Sequence, residues 1–349
     1  MTVPTLELLE SITPSRLHLI VLPTEACNFR CVYCYESFRL KRMNASVVAG
    51  IRALLRRRAP GLKHLVLSWF GGEPLLASDI LMEILEEVAR LRASHPALAL
   101  ESDVTTNASL LTRPLLERLV SLGATRYQVT FDGPRHVHDR KRIRPGGRPT
   151  FDLVWGNLAA LRASTAPFRI QARLHVDREN ASSIPEFLDE FRETFGDDPR
   201  FMLFIRGLSR LGGARDESLA VLEGEERRRT IEDLRSEAAK RGIPLAPVPT
   251  EPGVCYAARG NSFVIRADGR VNKCTVALER PENQVGRIRA DGALQLRADL
   301  VRPWMRGFDT SDRAVLACPM KGLADTRPRA AGPEHGDAPI ELAVAPGGV

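Results

Sequence analysis

The sequence predicts a parallel α/β chain of six consecutive strand-helix units, with a small hairpin-bearing appendage after them. Three observations carry this. Apolar runs of strand length alternate with stretches of helical period from about residue 17 to residue 240, and that alternation implies parallel strands wound in the right-handed sense. The polar tips Gly71-Gly72-Glu73, Thr105-Thr106-Asn107, Asp132-Gly133 and His175 to Asp177 each follow a predicted strand, where the catalytic groups of a barrel lie. Three prolines between 244 and 249 then break the pattern, and an Asp-Gly hairpin signal follows.

The elements follow in chain order. Residues 1–16 form a lead-in containing Glu7 and Glu10. Residues 17–22, LHLIVL between Arg16 and Pro23, read as a buried parallel strand that delivers the chain into a cysteine-bearing loop. Residues 44–58 have a helical period with Asn44 as the N-cap, and 65–70 is the next strand, ending in Gly71-Gly72-Glu73-Pro74. Helix 79–92, strand 98–105, helix 114–121, strand 127–131 and helix 152–163 continue the alternation. Strand 168–176, helix 184–195 and strand 201–206 complete it, and 219–240 is the longest and most charged helix. Residues 261–274 read as two strands joined at Ala267, Asp268 and Gly269. From about 326 the composition turns to Pro, Gly and Ala, a loose tail. The expected organisation is therefore a lead-in at 1–16, a barrel unit at 17–245, a small domain at 250–322 and a tail at 326–349.

Composition narrows the function classes. With 349 residues, 44% hydrophobic and 27% charged, the chain has the apolar content for a core and is not intrinsically disordered. No signal-peptide run opens it and no segment approaches 18 consecutive apolar residues, so a cytoplasmic protein with no membrane partner is expected. The net charge of +7, from 50 Lys+Arg against 43 Asp+Glu, is spread through amphipathic helices, and nucleic acid is not expected as a partner. Six cysteines without a secretion signal argue for metal chemistry rather than a disulfide framework.

Three of those cysteines, Cys27, Cys31 and Cys34, fall within eight residues, and the others stand at Cys255, Cys274 and Cys318. Thiolates select zinc, copper(I) or iron-sulfur clusters. A closed zinc site wants four ligands, whereas three thiolates around a four-iron cubane leave one iron open. The spacing C-x3-C-x2-C with Tyr33 before the third cysteine resembles the radical S-adenosylmethionine (radical SAM) enzymes, in which the open iron chelates S-adenosyl-L-methionine and one electron releases a 5'-deoxyadenosyl radical.

The resemblance implies roles for further residues. Gly71, Gly72, Glu73 and Pro74 match the family's GGEP motif, whose backbone and Glu side chain bind the cofactor's amino group. Thr106 and Asn107 would lie beside its methionyl and ribose end, although the family usually continues with Gly where this chain has Ala108. Tyr33 and Arg173 complete the expected cofactor contacts. Asp132 and Arg142 resemble residues of the SxDG and HDxxR segments of peptide-modifying members, with Asp132 expected to face the cavity and His138 a weaker candidate base. Cys255, thirteen residues, Gly269, four residues and Cys274 match the opening of the SPASM and Twitch extensions. With only three cysteines the tail resembles the Twitch type, with Cys255, Cys274 and Cys318 holding an auxiliary cluster whose fourth ligand is not a cysteine.

The implied fold is a partial (β/α)6 TIM-type barrel with a small C-terminal Twitch-like hairpin and helix domain. The implied cofactors are two 4Fe-4S clusters, one catalytic and one auxiliary, and S-adenosyl-L-methionine. The implied reaction is hydrogen abstraction from a ribosomally made precursor peptide to install a cross-link, thioether or epimer. Its partners would be that peptide, a flavodoxin- or ferredoxin-type reductant and a separate leader-binding protein, since no peptide-recognition domain is expected before the first strand. The hairpin edge at 261–265 is expected to receive the peptide. Sulfatase-maturase-like oxidation of a protein residue, a small-molecule rearrangement resembling molybdopterin biosynthesis, and a non-catalytic metal scaffold remain as alternatives.

Overall fold

The computed structural model describes residues 5–248 and 253–323, together with the backbone of Ile340–Glu341. After the short helix α1 (Thr5–Glu10), six strands pair in parallel and in chain order: β1 (Arg16–Val21), β2 (His64–Trp69), β3 (Ala99–Thr106), β4 (Arg126–Phe131), β5 (Arg169–Val176) and β6 (Phe201–Gly207). The expected six-unit parallel sheet is present, its strands displaced from the sequence reading by a residue or so at either end.

Alternation along each strand gives the sheet two faces of different chemistry. Leu17, Leu19 and Val21 of β1, and Leu65, Leu67 and Trp69 of β2, are buried against the helical layer. The intervening His18, Ser68 and Asp103 turn the other way and form a hydrogen-bonded line: His18 Nε2 to Ser68 Oγ at 3.0 Å, and Ser68 Oγ donating to Asp103 Oδ1 at 2.8 Å. The covering helices are α2 (Ala45–Arg58), α3 (Ser78–Ser94), α4 (Arg113–Ser121), α5 (Arg135–Lys141), α6 (Phe151–Leu161), α7 (Ile184–Phe195) and α8 (Gly224–Lys240). Phe187, Leu188, Phe191 and Phe195 supply the apolar stripe of α7, all fully buried. Each such side chain contributes about 1.5–3 kcal/mol by leaving water.

One local expectation holds in position, Asn44 being the N-cap residue of α2, and another needs correction. Asn44 is extended but its side chain makes no cap bond; its backbone oxygen receives Val47 N and Val48 N instead. The long charged helix begins at Gly224 rather than 219, because Val221 and Leu222 are buried in an extended stretch pinned by Arg178 N donating to Ala220 O at 2.9 Å.

The C-terminal region continues the same sheet. β7 (Ser262–Ile265) pairs in parallel with β1 on the side away from β2, in the register His18↔Ser262 to Val21↔Ile265. β8 (Arg270–Asn272), β9 (Gln284–Ile288), β10 (Leu294–Leu296) and β11 (Ile340–Glu341) follow as antiparallel neighbours, giving a sheet of eleven strands among the described residues. All four residues of β7 are buried, so 261–265 is an inner strand and not a free edge for a peptide. One hydrophobic core runs from Leu17 through to Trp304 and Leu323. Residues 249–252, at the expected boundary, lie outside the described residues, as does the expected tail at 326–349 apart from β11. The helix α9 (Ala298–Thr310) packs Trp304 inward, with its Nε1 donating to Glu282 O at 3.0 Å. α10 (Arg313–Ala317), capped by Asp312, delivers Cys318.

A buried ion pair fastens the extension to the barrel. Arg266, fully buried just after β7, donates to both oxygens of Glu25 at 2.9 and 2.6 Å. It also reaches Leu278 O and Glu279 Oε1 at 2.8 and 2.7 Å. Glu279 in turn receives Ser37 Oγ at 3.2 Å. Segments on both sides of the first cysteine loop are thereby tied to the chain that carries Cys274.

Candidate active site and cysteine centres

The loop from Cys27 to Glu36 leaves the C-terminal end of the barrel without regular structure and is held by its backbone. Arg30 N donates to Ile143 O at 2.6 Å and Val32 N to Lys141 O at 2.9 Å, while Phe29 is buried as its anchor. The next strand end packs tightly beneath it. A Cβ on Gly71 would sit 2.3 Å from Thr24 O, and one on Gly72 would sit 2.4 Å from Ala26 O. Only glycine permits that approach.

A cavity of about 640 Å³ opens over the strand ends, and all six cysteines line it. All six are free thiols. Burial pushes the Cys27 thiol up to about 12 and that of Cys34 to about 11, so loading a metal must displace protons. Among the described residues no three His, Cys, Asp or Glu side chains converge closely enough to hold a single ion. Three thiolates spread around a common space suit a polynuclear cluster better than one tetrahedral zinc.

The sequence-predicted residues divide into two shells. Tyr33, Gly71, Gly72, Thr106, Asn107, Arg142 and Arg173 line the cavity with the cysteines. Glu73, Pro74 and Asp132 do not, and the expectation that Glu73 and Asp132 face the bound molecule is corrected here. Glu73 is fully buried and accepts Leu75 N at 3.0 Å, Thr106 Oγ1 at 2.7 Å and Asn107 N at 2.6 Å. It fastens the loop after β3 to the loop after β2. Asn107 extends the tie to the cysteine loop, with Nδ2 donating to Asn28 Oδ1 at 2.8 Å. Ala108 follows in the left-handed region at φ 59°, which explains why glycine is the common residue there.

Asp132 lies one layer behind the wall. Tyr33 Oη donates to its Oδ2 at 2.7 Å, and Arg142 Nη1 donates to Tyr33 Oη at 2.9 Å. Its Oδ1 lies 3.7 Å from His175 Nδ1, close enough to feel charge and too long for a made hydrogen bond. Burial opposes the Asp132 anion, yet His175 and Arg142 hold its carboxyl down at about 2. Burial, aided by Arg173 and Arg142, brings the His175 ring down to about 4 against the pull of Asp132. His138 is buried away from the cavity, its Nε2 3.2 Å from Thr150 Oγ1.

Sequence reasoning placed His175 at a strand tip without giving it a role and missed Arg206, Tyr35 and Glu36; all four line the cavity. His175 stands two residues beyond Arg173 on β5, and that two-residue spacing was the available signal. The Glu36 carboxyl is pushed up to about 8 by burial and by Glu25, and its Oε2 has no partner. Arg173, whose Nε is likewise unpartnered, is brought down to about 10 by burial and by Arg206.

The sequence profile of the radical SAM superfamily matches residues 21–191, from within β1 into α7. Residues 21–191 of this chain are thus similar to the radical SAM superfamily. Among curated relatives, a GTP 3',8-cyclase of Paenarthrobacter nicotinovorans is 30% identical over 43% of this chain and 41% of its own length. A PqqA peptide cyclase of Gluconobacter oxydans is 27% identical over 75% of this chain and 70% of its own. The chain thus spans less than half of the first relative. Among solved structures, native anSMEcpe with bound AdoMet superposes with a TM-score of 0.62 at 18% identity, over 82% of this chain and 80% of that one. Streptococcus suis SuiB bound to precursor peptide SuiA gives 0.56 at 15% identity, over 81% and 64%. At these identities the structures support the fold: the partial barrel with its antiparallel C-terminal strands. A radical SAM fold implies a 4Fe-4S cluster and S-adenosyl-L-methionine, and the Cys27 loop over the cavity has the donor set for them. No described helix is long and apolar enough to cross a membrane.

Proposed function

We propose that this enzyme cleaves S-adenosyl-L-methionine reductively at Cys27, Cys31 and Cys34 and abstracts hydrogen from a peptide held between that centre and Cys255, Cys274 and Cys318. The observation that carries the reading is that both cysteine groups line one cavity. When bound, the clusters and S-adenosyl-L-methionine supply the electron, the 5'-deoxyadenosyl radical and, at the second centre, an auxiliary redox site. In this reading residues 17–245 form the radical SAM unit, and 250–322 carry the auxiliary cluster.

The chain's own residues position and exclude. Gly71, Gly72, Thr106 and Asn107 present backbone and side-chain polar groups to the cofactor, and Arg173 meets its carboxylate. Tyr33 is fixed at its hydroxyl by Asp132 and Arg142, so its ring edge forms a stable wall. His175, neutral at pH 7 with Nδ1 turned to Asp132, has its other ring nitrogen available to the cavity. It accepts the proton lost as the substrate forms its new bond, and the imidazolium that results gains Asp132 as its counter-ion.

The names of the relatives favour a peptide: one is a PqqA peptide cyclase and another is a SuiB structure with its precursor peptide. A flavodoxin- or ferredoxin-type reductant and a separate leader-binding protein would serve it in the cytoplasm, where the six thiols stay reduced. A second reading has its own support. Arg142, Arg173 and Arg206 face the same cavity, a set of guanidinium groups suited to phosphate, and one relative is a GTP 3',8-cyclase.

The deciding experiment is anaerobic co-expression with any short peptide encoded beside the gene, followed by mass measurement. A loss of two hydrogens indicates a cross-link or thioether; an unchanged mass with deuterium taken up from D2O indicates an epimer. An unaltered peptide together with consumption of GTP by the purified enzyme establishes the second reading. Absence of 5'-deoxyadenosine under reduction with S-adenosyl-L-methionine refutes both.

A further inference from the structure

Arg173 on β5 and Arg206 on β6 both line the cavity, and among the described residues neither guanidinium is paired with a carboxylate. Arg173 Nε is buried without a partner. Burial and Arg227 both disfavour the Arg206 cation, and burial and Arg206 disfavour that of Arg173. Arg227 itself is satisfied by uncharged oxygens, Gly207 O at 3.0 Å and Ser209 Oγ at 3.3 Å. Arginines elsewhere along the sheet are arranged differently. Arg126 of β4 lies 2.9 Å from Glu101 of β3, and Arg200, just before β6, lies 2.7 Å from Asp198. Like charges gathered over a cavity repel one another until an anion enters.

Register places the Arg206 side chain. Arg206 pairs with His175 across β5 and β6, and Phe201, Leu203 and Ile205 are buried on the other face of β6, so Arg206 shares the cavity face with His175. β6 is also the last strand of the sheet, at the edge where the parallel part ends. We propose that Arg206 is a specificity-determining residue that receives a side-chain carboxylate of the peptide, an Asp or Glu at or beside the residue being modified. The inference rests on reading the substrate as a peptide. With Arg173 assigned to the carboxylate of S-adenosyl-L-methionine, Arg206 is the remaining guanidinium of the pair, and its planar fork matches two carboxylate oxygens. A carboxylate held there brings the adjoining carbons of the substrate alongside His175. A phosphate presents the same oxygens, and the two sources differ in which probe binds.

The test uses the full chain, reconstituted anaerobically with iron and sulfide and saturated with S-adenosyl-L-methionine in the absence of reductant, so that binding is read apart from turnover. Calorimetric titration compares blocked alanine pentapeptides carrying Glu, Gln or Lys at the centre, with inorganic tripolyphosphate as the phosphate probe. The Glu peptide is expected to bind about tenfold or more tightly than the Gln peptide, as a charge-assisted pair requires. Arg206→Gln should erase that preference, and Arg206→Glu should turn it toward the Lys peptide, an inversion that a merely structural role does not produce. Should one variant fail to fold, the other carries the comparison. Equal binding of the Glu and Gln peptides by the parent, or a preference that survives in Arg206→Gln, overturns the assignment. Tripolyphosphate bound more tightly than the Glu peptide, and lost in Arg206→Gln, overturns the carboxylate in favour of a nucleotide phosphate. Failure of the parent to bind S-adenosyl-L-methionine overturns the cofactor reading itself, and the inference falls with it.

Discussion

Replacing Glu73 by Gln separates two ways in which a conserved-looking motif acid can serve a cofactor site. Here the carboxylate accepts three hydrogen bonds, two at Oε1 from Leu75 N and Thr106 Oγ1, and one at Oε2 from Asn107 N. Glutamine can supply one oxygen only. Setting it at the Oε1 position turns its NH2 toward Asn107 N, donor against donor. A buried donor left unpaired costs about 1–3 kcal/mol. The turn bearing Thr106 and Asn107 should therefore loosen, lowering Tm by a few degrees and weakening S-adenosyl-L-methionine binding roughly tenfold to a hundredfold. Scanning fluorimetry without cofactor and calorimetric titration with it read the two effects separately. Weakened binding at an unchanged Tm would refute the anchoring role and restore Glu73 as a direct contact with the cofactor.

Further outcomes follow from other sites. Ala108→Gly relieves a left-handed, fully buried alanine and should raise stability by about 1 kcal/mol in urea unfolding. Changing Cys27, Cys31 and Cys34 together to Ala should halve an iron content of about eight per chain and abolish 5'-deoxyadenosine release; intact release would dismiss the catalytic centre. His175→Gln should keep 5'-deoxyadenosine release while modified product falls at least tenfold, and equal losses of both would assign His175 a merely structural part. Glu87, whose carboxyl Arg56, Arg90 and Arg52 hold down at about 2, contributes stability that is present above its unfolded pKa and lost as pH falls toward 2. Glu87→Gln should flatten that acid limb in a Tm-against-pH series.

Much of the barrel was legible because its signals are local. The helix read at 184–195 matches α7 at both ends, since Pro185 starts it and the Phe187, Leu188, Phe191 and Phe195 stripe fixes its period. The hairpin at 261–274 was equally plain, but its neighbour was not, because nothing within SFVI states that β1 lies alongside. The cysteines declared themselves by type and spacing. Directions of side chains did not: Glu73 and Asp132 sit at strand ends like true lining residues, and only the packing of Thr106, Asn107 and Tyr33 shows that they point away. His175 was placed at a strand tip but given no role, because a single histidine carries no pattern.

The pairing of β7 with β1 joins residues far apart in synthesis: His18 and Ser262 are 244 positions apart, and Glu25 and Arg266 are 241. The first cysteine loop therefore leaves the ribosome long before the strand that flanks its root. Until β7 arrives, β1 is an open sheet edge able to pair with other chains, and Glu25 lacks its buried arginine. A nascent chain stalled before residue 262 would carry three cysteines on an unsupported loop. Delivery of iron and sulfide after β7 has formed is the order of events this topology favours, and slow translation of the segment that leads up to β7 would leave the β1 edge open to aggregation for longer.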